Sequence, residues 1–316
     1  MRLDSLLKTY LVLKAVLQGR KLALVDEGDP DGIVSGALFK MKHPDGVVVL
    51  AYPGEVQRSL LLRSVKWYFV ADLPCPGKAV FRADHHLTNP PCAEKEFYDP
   101  NAPASAVLAL KALGLDGDPL ASKLAGLAVE TDTANITSQE AMDLEAAVKG
   151  ADYSGKLYLI DLLALKGLDA LRDEKIRGFI ERYGRSRGKT EEVAKSLSPP
   201  PREAVVVFER DEGLSYRYLT ILLERAGAEF TFVLVPKGLF KYRVYTGANP
   251  SSRYNAASVA SKLGGGGHRF AAGATFRALS LRRALNKVAP ILKEELHSDK
   301  LEVIIVRKGG THREVL

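Results

Sequence analysis

Apolar and polar positions follow two rhythms along the first 150 residues. Short apolar runs at 22–25 (LALV), 47–51 (VVVLA), 67–71 (WYFVA) and 79–83 (AVFRA) have the length and composition of buried strands. Between and after them, 32–42 and 101–113 place apolar residues at helical spacing, and 120–130, 138–149 and a charged segment near 168–183 read as further helices. Strands that are apolar throughout and alternate with helices predict a parallel α/β sheet. A polar, breaker-rich stretch at 182–201, RYGRSRGKTEEVAKSLSPPP, reads as a linker. Strands at 204–208, 231–235 and 242–246 and helices near 215–226, 255–263 and 280–294 then predict a second, smaller α/β domain, with a glycine loop between its last two helices. The expected division is 1–183, a linker at 184–201, and 202–316. The first 21 residues carry Asp4 and Lys8 among apolar positions at helical spacing, which predicts an amphipathic helix and not a signal peptide.

Composition adds compartment and partner. With 316 residues, 46% hydrophobic and 26% charged, the chain can bury an ordinary core, and no run approaches the roughly 18 apolar residues of a membrane span. Two cysteines, Cys75 and Cys92, show no zinc-site spacing and are too few for a disulfide framework, so free thiols in a reducing cytoplasm are expected. The net charge of +7 is unevenly spread. Residues 1–200 hold 26 Lys and Arg against 27 Asp and Glu, whereas 201–316 hold 19 against 11. No acidic residue occurs between Glu229 and Glu294, a stretch that includes Arg243, Arg253, Arg269, Arg277, Arg282 and Arg283. Such a surface attracts polyanions.

Candidate chemistry concentrates where strands end. Asp26-Glu27-Gly28-Asp29-Pro30-Asp31-Gly32 follows the first strand, Asp72 the third, and Asp84-His85-His86 the fourth, while Glu130-Thr131-Asp132-Thr133 closes the apolar run LAGLAV. Any one of these could be a turn or a helix cap. Converging at the ends of neighbouring parallel strands, so many carboxylates would repel one another unless cations neutralised them. Carboxylate and imidazole together suit Mn²⁺, with Mg²⁺, Co²⁺ or Zn²⁺ as competitors, and a two-ion site suits phosphate-ester hydrolysis by an activated hydroxide.

The order DPDG, a lone aspartate after a strand, Asp84-His85-His86 and a TDT motif resembles the four motifs of the DHH phosphoesterases. That family includes RecJ-type exonucleases, oligoribonucleases, cyclic dinucleotide phosphodiesterases, exopolyphosphatases and family II pyrophosphatases. The resemblance implies two Mn²⁺ ions, with Asp29 on one, Asp31 on the other and Asp72 between them, and His85 and Asp132 completing the ligands of the second ion. It implies that Asp84 orients a histidine and that His86 contacts the scissile phosphate or protonates the leaving oxygen. Before the DxD pair the family carries a histidine or aspartate; Glu27, four residues before Asp31, best matches that place, so a retuned first metal site is expected.

In the second domain, Gly264-Gly265-Gly266-Gly267-His268-Arg269-Phe270-Ala271-Ala272-Gly273 is neither a Walker loop nor a Rossmann turn. It resembles the signature of the DHHA1 domain, which follows the catalytic domain in the nuclease and oligonucleotidase branch. The amides of Gly265, Gly266 and Gly267 can cradle a phosphate, with His268, Arg269 and Arg253 as donors and Tyr242, Tyr245, Tyr254 and Phe270 as candidates to stack on bases. The expected protein is a metal-dependent phosphoesterase of short RNA, DNA or nucleotides, acting between its two domains, with no membrane association; a homo-oligomer is compatible with this. The alternatives are a nucleotide phosphatase, a cyclic dinucleotide phosphodiesterase, and a nucleic-acid-binding scaffold with weakened catalysis.

Overall fold

A computed structural model describes residues 3–87, 89–133 and 135–316. The chain divides into two compact units, Met1–Gly184 and Arg185–Leu316.

The first unit begins with helix α1 (Leu3–Leu17), strand β1 (Leu22–Asp26), α2 (Pro30–Lys42), β2 (Val47–Ala51), α3 (Pro53–Arg58) and α4 (Leu60–Ser64). Next come β3 (Lys66–Ala71), β4 (Lys78–Asp84), β5 (Ala93–Tyr98), α5 (Ser105–Leu113), α6 (Pro119–Asp132), α7 (Gln139–Gly150) and α8 (Tyr153–Lys166). A 3₁₀ turn at Gly167–Arg172 leads into α9 (Glu174–Ser196). The five strands form one sheet in the order β2-β1-β3-β4-β5, parallel throughout. Side chains alternate between its faces: Ala23 and Val25 enter one core with Ile33, Leu38 and Ile160, and Leu22 and Leu24 enter the other with Val49, Trp67 and Val70. Burial on both faces explains why the runs LALV in β1 and VVVLA in β2 are apolar at every position. The fully buried Trp67 also donates its Nε1–H to Leu62 O at 2.8 Å, leaving no polar atom of the ring unpaired.

Gly32 lets α2 approach β1. A Cβ there would sit 2.4 Å from the Asp26 carbonyl oxygen, so any larger residue would push the helix away from the strand.

Two expectations are corrected, one at the junction of the units and one within the first. The stretch expected as a linker is largely helical, because α9 continues to Ser196 and only 197–202 lie outside regular structure. Its glycines, Gly184 and Gly188, are too few to overcome helix-forming Arg, Lys and Glu on either side. Cys75 and Cys92, expected as free thiols, form a disulfide with Cα atoms 5.8 Å apart. The two cysteines precede β4 and β5, which are adjacent and parallel with Ala79 opposite Ala93, so both start at one edge of the sheet. Sequence spacing alone does not reveal that neighbourhood.

The second unit carries β6 (Glu203–Phe208), α10 (Tyr216–Arg225), β7 (Phe230–Pro236), β8 (Lys241–Ala248), α11 (Ala256–Lys262) and β9 (Gly266–His268). It ends with β10 (Ala271–Arg277), α12 (Leu281–Leu296), β11 (Glu302–Arg307) and β12 (Gly310–Val315). Seven strands make a mixed sheet in the order β12-β11-β6-β7-β8-β10-β9. Its two faces bury separate cores, one around Phe232, Val244, Val288 and Leu292 and one around Val206, Leu219 and Val233. Among the described residues, no helix is long and apolar enough to cross a membrane.

Candidate active site

Three neighbouring strands of the first sheet deliver the candidate chemistry to one edge. Asp26 is the last residue of β1, Asp72 follows β3, and Asp84 ends β4 with His85 and His86 directly after it. In the order β2-β1-β3-β4-β5 the connections reverse direction between β1 and β3, the crevice where open α/β sheets collect ligands.

Helices complete the set from above. Asp29 caps α2, its carboxylate accepting from Gly32 N at 3.3 Å. Asp31, in the first turn of α2, is 1% exposed and accepts from both Ser105 N and Ala106 N at 2.7 Å. Those two amides open α5, whose own cap residue, Ala104, has no side chain able to accept them. Asp31 therefore caps a helix 74 residues away in sequence, and that fixes both carboxylate oxygens. Asp132 arrives at the C-terminal end of α6, the helix expected at 120–130.

Asp72 adopts φ 58°, a left-handed conformation that aspartate tolerates better than bulkier residues, with its N–H donating to Ala83 O at 3.0 Å. Its Oδ1 accepts from the Ser105 hydroxyl at 3.2 Å. Because a carbonyl can only accept, His85 must donate its Nδ1–H to Ala102 O at 3.0 Å. That leaves the Nε2 lone pair facing the carboxylates, 3.6 Å from Asp132, 3.9 Å from Asp72 and 4.0 Å from Asp31.

The electrostatics of this cluster are unfavourable without cations. Burial and the neighbouring Asp29 push Asp31 up to about 8 and Asp26 up to about 7. Burial, reinforced by the charges of Asp31, Asp29 and Asp26, holds Asp72 well above the usual carboxylate range, and burial also raises Asp132. Among the described residues, no lysine or arginine forms an ion pair with Asp26, Asp29, Asp31, Asp72 or Asp132. Three overlapping sets have ligand atoms within 4.8 Å of one another: Asp26, Asp29 and Asp72; Asp31, His85 and Asp132; and Asp72, His85 and His86. Hard oxygen donors with imidazole nitrogen, desolvated and lacking counter-charge, fit divalent cations.

His86 stands beside this cluster with a support of its own. It donates Nδ1–H to Asp84 Oδ1 at 2.9 Å, and the bond to that carboxylate raises the imidazole above its ordinary value. Asp84 is fully buried and pairs with the equally buried Arg82 at 2.9 Å, while Asn89 donates to its second oxygen at 2.8 Å. Arg82 in turn pairs with Glu96 at 3.0 Å. The aspartate is thus held on three sides, and the ring it carries is half-exposed and keeps Nε2 free of that support.

Glu27, expected as a metal ligand, is placed elsewhere. Its carboxylate lies 3.5 Å from Lys8 Nζ and 3.9 Å from Lys156 Nζ, and Lys156 also donates to the Glu27 carbonyl at 2.7 Å. Two buried lysines on α1 and α8 claim the side chain, so the carboxylate that meets Asp29 and Asp72 is its neighbour Asp26. The choice between adjacent acids was decided by those lysines, which no local motif announces. Glu130, beside Asp132, serves the frame instead. It accepts from Thr137 and Ser138 at the start of α7, and those bonds bring it down to about 2.

In the second unit the glycine run is not an open loop. Gly266-Gly267-His268 forms the edge strand β9 against β10, with Ala272 opposite Gly267 and Gly273 opposite Gly266. A Cβ on Gly265 would lie 2.1 Å from Gly273 O, and one on Gly267 2.5 Å from Ala271 O, so close backbone approach requires both glycines. Gly264 and Gly267 also take positive φ, 77° and 140°. At Gly266 a Cβ would meet nothing. His268, Arg269 and Arg253 are exposed, and Arg269 donates to Ser252 O at 3.0 Å, which brings the segments of the two arginines together. Of the aromatic candidates, Tyr242 is buried and stacked on Phe276, Tyr254 is buried and bonded to Glu203, and Tyr245 stacks on Tyr216. Phe270 alone of the four is exposed, at 39%.

No family model and no curated protein matches the sequence. Solved structures do. The pGpG-specific phosphodiesterase PggH from Vibrio cholerae superposes with a TM-score of 0.61 at 19% identity, over 88% of this chain and 100% of that one. RecJ from Thermus thermophilus in complex with Mn²⁺ superposes with a TM-score of 0.50 at 16% identity, over 95% of this chain and 56% of that one. At such identities the likeness is one of fold. Taken with the order of its motifs, it establishes that the chain has the fold of the DHH-family phosphoesterases.

Proposed function

We propose that this protein is a divalent-metal-dependent phosphoesterase that hydrolyses phosphodiester bonds of short oligonucleotides, dinucleotides included. The observation that carries this reading is the convergence of Asp26, Asp29, Asp31, Asp72, Asp132 and His85 on one sheet edge with no lysine or arginine among the described residues to neutralise them. Those residues would hold two ions, Mn²⁺ by preference and Mg²⁺ or Co²⁺ in its place. Bound there, divalent cations would activate water and offset charge on the phosphoryl oxygens.

The chain's own groups account for the rest. Asp84 keeps the proton of His86 on Nδ1 and favours the charged ring, so Nε2–H can be delivered to the leaving oxygen. His85 is locked in the tautomer that exposes Nε2, and Asp31 is held by two amides, so the ligands do not reorganise as charge develops. Arg253, His268 and Arg269 are proposed as the phosphate ligands of the second unit, and Phe270 as its stacking group.

Dinucleotides are favoured as substrates by the likeness to a pGpG-specific enzyme, whose whole length the fold covers. A scaffold role would leave the buried carboxylate cluster without a purpose. To test the proposal, purified protein is incubated with Mn²⁺ and labelled RNA and DNA of two to about twenty nucleotides, pGpG, cyclic dinucleotides and pyrophosphate. Cleavage of the short linear substrates, abolished by EDTA and by Asp132→Asn, is expected. Binding of oligonucleotides with no cleavage of any substrate would overturn it in favour of the scaffold, and cleavage of pyrophosphate alone would remove nucleic acid from the proposal.

A further inference from the structure

At the end of the second sheet far from the glycine strand, the β7–β8 hairpin exposes Leu239 at 85% and Phe240 at 46%. Phe240 adopts φ 56°, which a bulky residue rarely does, and the turn so formed leaves its ring outside the core. Its carbonyl accepts from Ala278 N at 3.0 Å, which places Leu279, 68% exposed, beside it. Three exposed arginines adjoin this tip: Arg277 at the end of β10, opposite Lys241, and Arg282 and Arg283 in the first turn of α12. Cations at a helix N-terminus oppose the helix dipole and are unfavourable for the fold. Among the described residues, these three arginines make no ion pair, and no acidic residue occurs from 230 to 293.

We infer that the Leu239–Phe240–Leu279 tip, with Arg277, Arg282 and Arg283, is a second contact for single-stranded nucleic acid, separate from the glycine strand. Apolar and aromatic side chains offer a face to unpaired bases, and guanidinium groups take the phosphates on either side. The inference rests on the oligonucleotide reading above. Its geometry sets a length threshold. The glycine strand adjoins the start of β10 at Ala271 and the tip adjoins its end at Arg277, six residues on. At about 3.3 Å per residue the two contacts are roughly 20 Å apart, farther than a dinucleotide reaches. Shorter strands reach one contact, and longer strands reach both.

The test is equilibrium binding by fluorescence anisotropy on the full chain in EDTA, with labelled single strands of two and fourteen nucleotides. The variant is Phe240→Asn with Leu279→Ser, since asparagine keeps the left-handed turn while removing the ring. An unchanged unfolding midpoint, an unchanged affinity for the dinucleotide and about a tenfold loss for the fourteen-mer are expected. Arg282→Ala with Arg283→Ala should lower fourteen-mer affinity and flatten its salt dependence. Equal effects on both lengths, or none on either, would overturn the inference. So would a wild-type protein that binds the two lengths equally, and that result would leave the hydrolase reading standing, because metal-dependent cleavage of dinucleotides decides it. Loss of binding to vesicles of phosphatidylcholine and phosphatidylserine, with oligonucleotide binding intact, would assign the tip to a membrane surface instead.

Discussion

Asp26 and Glu27 are adjacent acids with different roles, and a metal titration separates them. Asp26→Asn should weaken Mn²⁺ binding by at least about tenfold, since it removes a charged ligand, whereas Glu27→Gln should leave the affinity near wild type and lower thermal stability, because the buried Lys156 loses its carboxylate partner and Lys8 is left with Glu55 alone. Comparable losses of affinity in both variants would place Glu27 in the site after all. Burial also predicts how metal-free protein responds to pH. Asp31 and Asp26 ionise near 3.8 when unfolded but near 8 and 7 in the fold, so between those limits the folded state holds more protons. Its stability must therefore fall as pH rises from about 4 to about 8. A decline in melting temperature on the order of 5 °C is expected in EDTA, and saturating Mn²⁺ should abolish it by replacing the protons. A metal-free melting temperature that climbs across that window would mean the carboxylates are neutralised in some other way. Motif order made Asp29, Asp31, Asp72, His85, His86 and Asp132 legible as a group, because ligand chemistry restricts residue type. The partition between Asp26 and Glu27 was not legible, because it depends on Lys8 and Lys156, which lie on helices remote from Glu27 in the sequence.

The elements legible in the sequence were those with a strong apolar period. The runs at 22–25, 47–51, 67–71 and 79–83 all became strands of the first sheet, each within a residue of its observed ends. Strand β5 went unseen, since AEKEFY at the sheet edge has charged residues on its exposed side and too little apolar content to mark it. β9 and β10 were hidden by glycine and alanine, which signal a loop when no neighbouring strand is visible. The hairpin they form supplies a sharp comparison. Gly265→Ala forces a Cβ against backbone atoms of β10 and should cost about 2 kcal/mol in urea unfolding. Gly266→Ala meets open space and should change stability by less than about 0.5 kcal/mol, so any loss of oligonucleotide binding it causes belongs to the ligand. The disulfide acts on a different element. Closing a loop of 17 residues around β4, Asp84, His85 and His86 restricts the unfolded chain, and Cys75→Ser with Cys92→Ser should destabilise the protein by about 3 kcal/mol. An unchanged midpoint after reduction would show that the bond contributes nothing to stability.

For the whole molecule, the division of labour is a division of charge. Acids concentrate at one sheet edge in the first unit, and the basic excess lies after residue 200. Affinity for longer strands should therefore fall steeply and linearly on a log–log plot against salt, while dinucleotides, which engage fewer cations, should give a shallower line. Parallel lines for the two lengths would mean that the basic surface does not follow the strand. One arrangement also bears on how related chains should be judged. Asp31 fastens the start of one helix to the start of another through paired amides, so it belongs to the frame as much as to the chemistry. A relative that had abandoned turnover would still need that strut, and an aspartate surviving there would testify only to architecture. Asp132 closes its helix with a partly exposed side chain that faces His85, so its loss would be the earlier mark of an enzyme in retirement.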